Sequence, residues 1–304
     1  MRAKQNGVAI VLAMGVVTMA AIAATAIMIA QSNWSRASEL TADHVQAKVL
    51  IHAGVDWSRA VLAYDRRLSN VDHLGEPWAL RLPSMPIENG ELTGHIEDQQ
   101  GLFNLNNLIK GGRVNPAQLA NFQRLLETLG LPAALAHTLA DWLDTDGEPQ
   151  PQGGAEDDFY LSLPAPYLAA NRPLTDVAEL ALVHGFDDAV RARLRPFVTA
   201  LPGFTAVNAN TASPEVLAAV VEGLGLDGAR NLVAQRENAY FRGWEDFYSH
   251  LPPGLIVPTE NISTGSKYFL ASVRVTIGGA RARGSALLAR EISGWPAIVW
   301  DKTL

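Results

Sequence analysis

From Val8 to Ala30 the chain runs 23 residues without a charge, VAIVLAMGVVTMAAIAATAIMIA. As a helix this segment is roughly 34 Å long at about 1.5 Å per residue, enough to cross a bilayer core of about 30 Å. Secretory h-regions usually span about 7–15 residues, so the segment reads as an anchor. The small residues Ala24-Thr25-Ala26 keep signal-peptidase cleavage as the alternative. Arg2 and Lys4 precede the segment and no acid does. That bias holds this end in the cytoplasm and carries the rest across the membrane. In a bacterium the pattern predicts one pass through the inner membrane and a periplasmic body.

The helical spacing does not end at Ala30. Trp34, Leu40, Val45, Val49, Ala53, Trp57, Val61, Tyr64 and Leu68 recur mostly every three or four residues among polar ones such as Arg36, Asp43 and Lys48. No proline lies between Val8 and Asn70. One helix of about 60 residues, roughly 90 Å long, is predicted. Its first half is apolar all round and its second half amphipathic. Met14, Val17, Ala21 and Ala24 form a stripe that suits either close helix contacts or a lipid-facing anchor.

Alternation then takes over. Gly90–Asp98 reads as a strand, Tyr268–Ile277 as another, and Ala282–Ile292 as its hairpin partner across Gly278-Gly279. Between them, from about 103 to 260, the pattern is helical and nearly repeats. Each copy has an Asn-rich entry, a helix opened by Asn115-Pro116 or Ser213-Pro214, a Gly-Leu turn and a second helix. Leu174–Leu180 and Arg242–Phe247 read as equivalent closing helices. Two compact helical units of the SAM or helix-hairpin-helix type result.

Charge separates the possible uses of such units. The chain of 304 residues has a net charge of −7, and residues 101–260 hold 10 Lys and Arg against 19 Asp and Glu. A helix-hairpin-helix binds phosphate through backbone N–H groups in a positive surround. Here Asp227 follows Gly223-Leu224-Gly225, and Pro132 follows Gly130. A membrane-anchored DNA binder is therefore the second reading, and a protein scaffold the first. With no cysteine there is no disulfide, thiolate metal site or thiol catalysis. No G-x-S-x-G, H-E-x-x-H or G-x-x-x-x-G-K-[ST] occurs, and the seven histidines are scattered, so no enzyme is expected.

The densest chemistry lies in DWLDTDGEPQPQGGAEDD, residues 141–158, with Asp141, Asp144, Asp146, Glu148, Glu156, Asp157 and Asp158. No Lys or Arg occurs between Arg124 and Arg172 to neutralise them. Hard oxygen donors gathered this closely favour Ca²⁺, which accepts six to eight oxygens in flexible geometry. Asp144-x-Asp146-Gly147 looks like part of an EF-hand loop, but Trp142 and Gly153 fill its first and twelfth ligand positions, so it is not one. A solvated acidic loop without metal is the alternative.

A short basic leader ending in Gly7, with the apolar helix starting at once, resembles the class 3 signal of type IV pilins and type II secretion pseudopilins. The resemblance implies cutting by a prepilin peptidase between Gly7 and Val8, and methylation of Val8. Most members carry Glu at the fifth mature position, where this chain has Leu12. The K minor pseudopilins depart in the same way and are unusually long, and the chain resembles them over essentially its whole length. The implied fold is α+β: a pilin-like stem helix and antiparallel sheet, interrupted by the large helical insertion.

Its parts would be a leader (1–7), a transmembrane helix (8–30), and stem with first sheet strands (31–102). Two helical domains (103–202, 203–260) and the last strands (261–304) would follow. The resemblance also implies Ca²⁺ in the helical domain, at the acidic run. The implied partners are the I and J minor pseudopilins and the major pseudopilin. The implied role is a tip complex that starts the pseudopilus and supports export of folded proteins across the outer membrane.

Overall fold

A computed structural model of the protein describes residues 6–81, 83–291 and 294–303. Residues 1–5 of the expected leader, and Ile292 at the expected end of the last hairpin strand, lie outside the described residues. Helix α1 spans Asn6–Leu68 without interruption. Its apolar stretch has a mean hydropathy of 2.4 and none of it is buried in the protein. The helix is long and apolar enough to cross a membrane. Within that stretch the Thr18 and Thr25 hydroxyls donate to the carbonyls of Met14 and Ala21, at 2.8 and 2.9 Å, so neither polar group is left unsatisfied. Arg66 and Arg67 in the last turn complement the helix dipole.

The second half of α1 lies on a five-stranded antiparallel sheet. Its strands are β1 (Met85–Ile87), β2 (Gly90–Asp98), β3 (Tyr268–Ile277), β4 (Ala280–Ala289) and β5 (Ala297–Thr303), adjacent in that order. The period of two sends Ala271, Val273, Val275 and Ile277 of β3, with Ala280, Ala282, Ala286 and Leu288 of β4, onto Ala47, Ile51, Val55 and Leu62 of the helix. Each fully buried aliphatic side chain there contributes about 1.5–3 kcal/mol. Two glycines set the approach. A Cβ on Gly54 would come within 2.9 Å of the Val273 side chain, and one on Gly284 within 2.1 Å of Ile51.

The helix and sheet run in a defined sense. Asp43 accepts a hydrogen bond at 3.0 Å from Gly279 N in the β3–β4 turn, so that turn points toward the apolar half of α1. At the other end, Arg290 beyond β4 reaches Asp65 near the end of the helix. All of residues 99–267 lie between Asp98 and Phe269's neighbour Tyr268, on two strands that pair with each other. The helical block therefore emerges at the end of the sheet remote from the apolar segment.

That block contains α2 (Pro116–Thr128), α3 (Leu135–Leu143), α4 (Asp157–Leu161), α5 (Asp188–Leu194), α6 (Pro214–Val220), α7 (Gly225–Asn238) and α8 (Trp244–Ser249). Pro116 and Pro214 stand at the first helical positions. Gly130 and Gly223, at φ of 64° and 80°, make the left-handed turns that follow. The internal repeat extends to side-chain contacts. Asn106 exchanges hydrogen bonds with both the N–H and the C=O of Leu174, at 2.8 and 2.9 Å. Asn210 does the same with Phe241, at 2.8 and 2.9 Å. In each copy a buried asparagine of the entry thus clasps the segment before the closing helix. That helix is a 3-10 helix over Val177–Leu182 in the first copy, starting three residues after the predicted Leu174, and α8 in the second. Helix α2 packs against α6, and the apolar faces of both copies merge in one core from Phe103 to Ile262.

Candidate metal centre

The acidic run is folded by its own backbone contacts. Helix α3 is buried all round, and Asp144 forms its C-cap. Trp142 packs edge-on against Tyr160, with ring centroids 5.0 Å apart, and so fastens α3 to α4. Asp141 accepts from Gln150 N at 3.0 Å, and the Thr138 hydroxyl donates to Gly153 O at 2.8 Å. These two bonds fold residues 145–155 back along α3. Gly154 is required there, because a Cβ would lie 2.1 Å from Asp141 Oδ2.

The fold-back brings Glu156, the N-cap of α4, across to the end of α3. One oxygen each from Asp144, Asp146 and Glu156 then lies within 4.8 Å of the others. Asp144 and Glu156 are buried, and Asp146 is exposed. Both carboxylate oxygens of Asp144 and both of Glu156 are shut away from solvent without a hydrogen-bond partner. Among the described residues no Lys, Arg or His lies within 4.0 Å of the three carboxylates. Desolvation and mutual repulsion raise Asp144 and Glu156 to about 7 each. Desolvation raises Asp141 to about 6. Unpaired charge this well buried is costly unless a cation supplies what the protein does not. The donors are all carboxylate oxygens, a set that suits a hard divalent cation.

The other members of the acidic run are placed differently. Asp141 is not one of the three; its charge adds to the repulsion on Asp144 and Glu156, and its carboxylate is engaged with the loop backbone. Asp157 accepts from Ala169 N at 2.9 Å and so braces the next segment. Glu148 and Asp158 are exposed and stand outside the three-carboxylate group. Gly7 and Val8 occupy the first turns of α1, with no acidic side chain nearby in sequence.

A second group of acids was invisible in the sequence. Asp65, Asp72 and Glu76 converge at the end of the stem, all buried. Here the cation is built in. Arg290 donates from Nη1 to Asp65 at 2.8 Å and from Nη2 to Asp72 and to Ser266 O. Glu76 accepts from Trp78 Nε1 at 2.7 Å and from His73 N at 3.0 Å. Alongside, Asp98 accepts from the Ser266 and Thr211 hydroxyls at 2.7 and 2.6 Å and from Asn208 Nδ2 at 2.9 Å. Burial raises the Asp98 carboxyl. This network joins stem, sheet and helical block. Its members lie up to 225 positions apart, so only the fold brings them together.

Residues 101–203 match a family model described as type II secretion system (T2SS), protein K, and residues 207–264 match a second model of the same description. The chain is 39% identical over 294 residues to the type II secretion system protein K of Pseudomonas aeruginosa, across 92% of this chain and 87% of that one. It is 32% identical over 313 residues to the protein of the same name from Klebsiella pneumoniae, across 96% and 94%. Its fold resembles a chain in the crystal structure of the GspK-GspI-GspJ complex from enterotoxigenic Escherichia coli. The TM-score is 0.74 at 24% identity, over 88% of this chain and 98% of that chain.

Proposed function

The chain belongs to the type II secretion system protein K family, and from that premise we propose that this minor pseudopilin caps the growing pseudopilus and initiates its assembly. The observation that carries the proposal is the position of the helical block. It fills the end of the sheet remote from the membrane-spanning half of α1, between strands that pair with each other. A subunit stacked beyond that end would meet the block. Leu12 adds to the argument, because no carboxylate in the span is available for the N-terminus of a neighbour. The absence of a subunit above suits both features.

Several finer assignments belong to the same proposal. Prepilin peptidase cuts between Gly7 and Val8, and Val8 becomes methylated. The mature chain is held in the inner membrane by one pass, with its body in the periplasm. Its partners are the I and J minor pseudopilins, named in the complex whose fold this chain shares, and beneath them the major pseudopilin. Ca²⁺ is held by Asp144, Asp146 and Glu156; it orders the loop and supplies the missing positive charge. Nothing in the family assignment supports a DNA reader, and the acidity of the block opposes one.

Overproducing the full-length chain tests the role. A cap that starts filaments should give more and shorter pseudopili by electron microscopy as its ratio to the major subunit rises. An unchanged length distribution would contradict it.

A further inference from the structure

The face of the sheet turned away from α1 carries a basic stripe. On β3 and β4 the side chains of Arg274 and Arg283 stand directly opposite one another, and both are exposed. Like charges at facing positions of an antiparallel pair destabilise it. Arg281 continues the stripe toward the β3–β4 turn, opposite Thr276. Lys302 of β5 continues it in the other direction, opposite Ser285. Among the described residues no carboxylate lies within 4.0 Å of Arg274, Arg281 or Arg283. This stripe belongs to a chain whose net charge is −7, so its sign is local and opposed to the whole.

The stripe opens into a cleft of about 550 Å³ between the sheet and the helical block. Arg195, Arg283 and Lys302 line it together with the acids Glu97 and Asp176, and Leu270, Leu287 and Trp300 give it apolar surface. Lys302 also contacts Asp176 of the block, which fixes the cleft's far side. Cations beside an apolar, concave wall suit a polypeptide segment with acidic residues on either side of a large apolar one. A flat bilayer is a poor fit. The block overhangs the cleft, and the body begins at Asp43, roughly 20 Å of helix beyond Ala30. That separation exceeds the Debye length of about 8 Å at physiological ionic strength.

We propose that the stem-distal face of the sheet, from Arg281 through the Arg274–Arg283 pair to the cleft at Lys302 and Trp300, is a docking surface for an acidic polypeptide segment. The pair is kept unneutralised on the free protein because the partner's carboxylates neutralise it. This surface stands whether or not the chain occupies the filament tip.

Fluorescence anisotropy on the full-length chain in neutral detergent tests it. The probe is a labelled 11-residue peptide with Glu-Glu-Leu-Glu-Glu flanks around one Trp, and a Lys-for-Glu peptide is the control. The acidic peptide should bind, the basic one should not, and 0.5 M NaCl should weaken binding at least tenfold. Arg274→Gln with Arg283→Gln should also weaken it at least tenfold. Because that variant relieves like-charge repulsion, its melting temperature should equal or exceed that of the parent, which separates lost docking from lost folding. Equal binding of both peptides, or full binding by a folded variant, would overturn the proposal. So would loss of peptide binding alongside retention of phosphatidylglycerol vesicles, which would make the stripe a lipid site.

Discussion

Asp144 and Glu156 are both buried, and neither carboxylate has a partner in the protein. Without metal their carboxyls titrate at about 7, against roughly 4 in an unfolded chain. Between those values the metal-free folded state holds more protons than the unfolded chain. Its stability should therefore fall as pH rises from about 4 to about 7. Melting temperatures in EDTA at intervals across that range check the slope, and a flat or rising curve would contradict it. Ca²⁺ bound there would displace the protons, so the stabilisation proposed for it should be greatest at and above pH 7. At a hundredfold excess over Kd the gain is about 2.7 kcal/mol. Asp144→Ala with Asp146→Ala should abolish that gain, and an EDTA-insensitive melting temperature in the parent would show a merely solvated loop. The acidic run was legible because no Lys or Arg interrupts it from Arg124 to Arg172. Which carboxylates converge was not legible. That is decided by the Gln150 amide holding Asp141 and the Ala169 amide holding Asp157.

Among the elements, the long helix was readable from end to end, because an unbroken apolar run followed by helical spacing admits no other regular structure. Strands β2 and β3 have the predicted bounds, Gly90–Asp98 and Tyr268–Ile277, and β3 alternates in burial along most of its length. Strand β4 starts at Ala280, two positions before the predicted Ala282, because the tight Gly278-Gly279 turn lets pairing resume at once. Strands β1 and β5 went unread. The first has only three residues, although Asn89 at φ 60° beside Gly90 is a hairpin signal. The second is exposed on nearly every residue and so lacks alternation. Contact between helix and sheet depends on Gly284, whose missing Cβ makes room for Ile51. Gly284→Val should destabilise the fold by about 1–3 kcal/mol, read as a fall in melting temperature. At the other end of α1, Gly7→Val should block leader removal, since the peptidase must accept a residue without bulk before the cut. Intact mass of the membrane form decides the point, and a mature start after Ala26 would contradict the pilin-type processing.

At the scale of the whole molecule, three parts lie in sequence along the stem: an apolar helical segment, a sheet packed on the helix from about Asp43 to Leu62, and a helical block beyond it. The joint between the last two is rigid because Arg290, Asp72, Asp98, Ser266 and Asn208 share one buried network. Under the proposed tip role, a block tied to the sheet in this way would stand where a subunit above would pack. That makes location within the filament the property on which the account turns. The most direct measurement is gold labelling of an epitope placed in the exposed turn at 252–254, away from the acidic loop, on pseudopili assembled by cells that produce the chain at native level. The account predicts label at one end only of each filament. Label spaced along the shaft would contradict it.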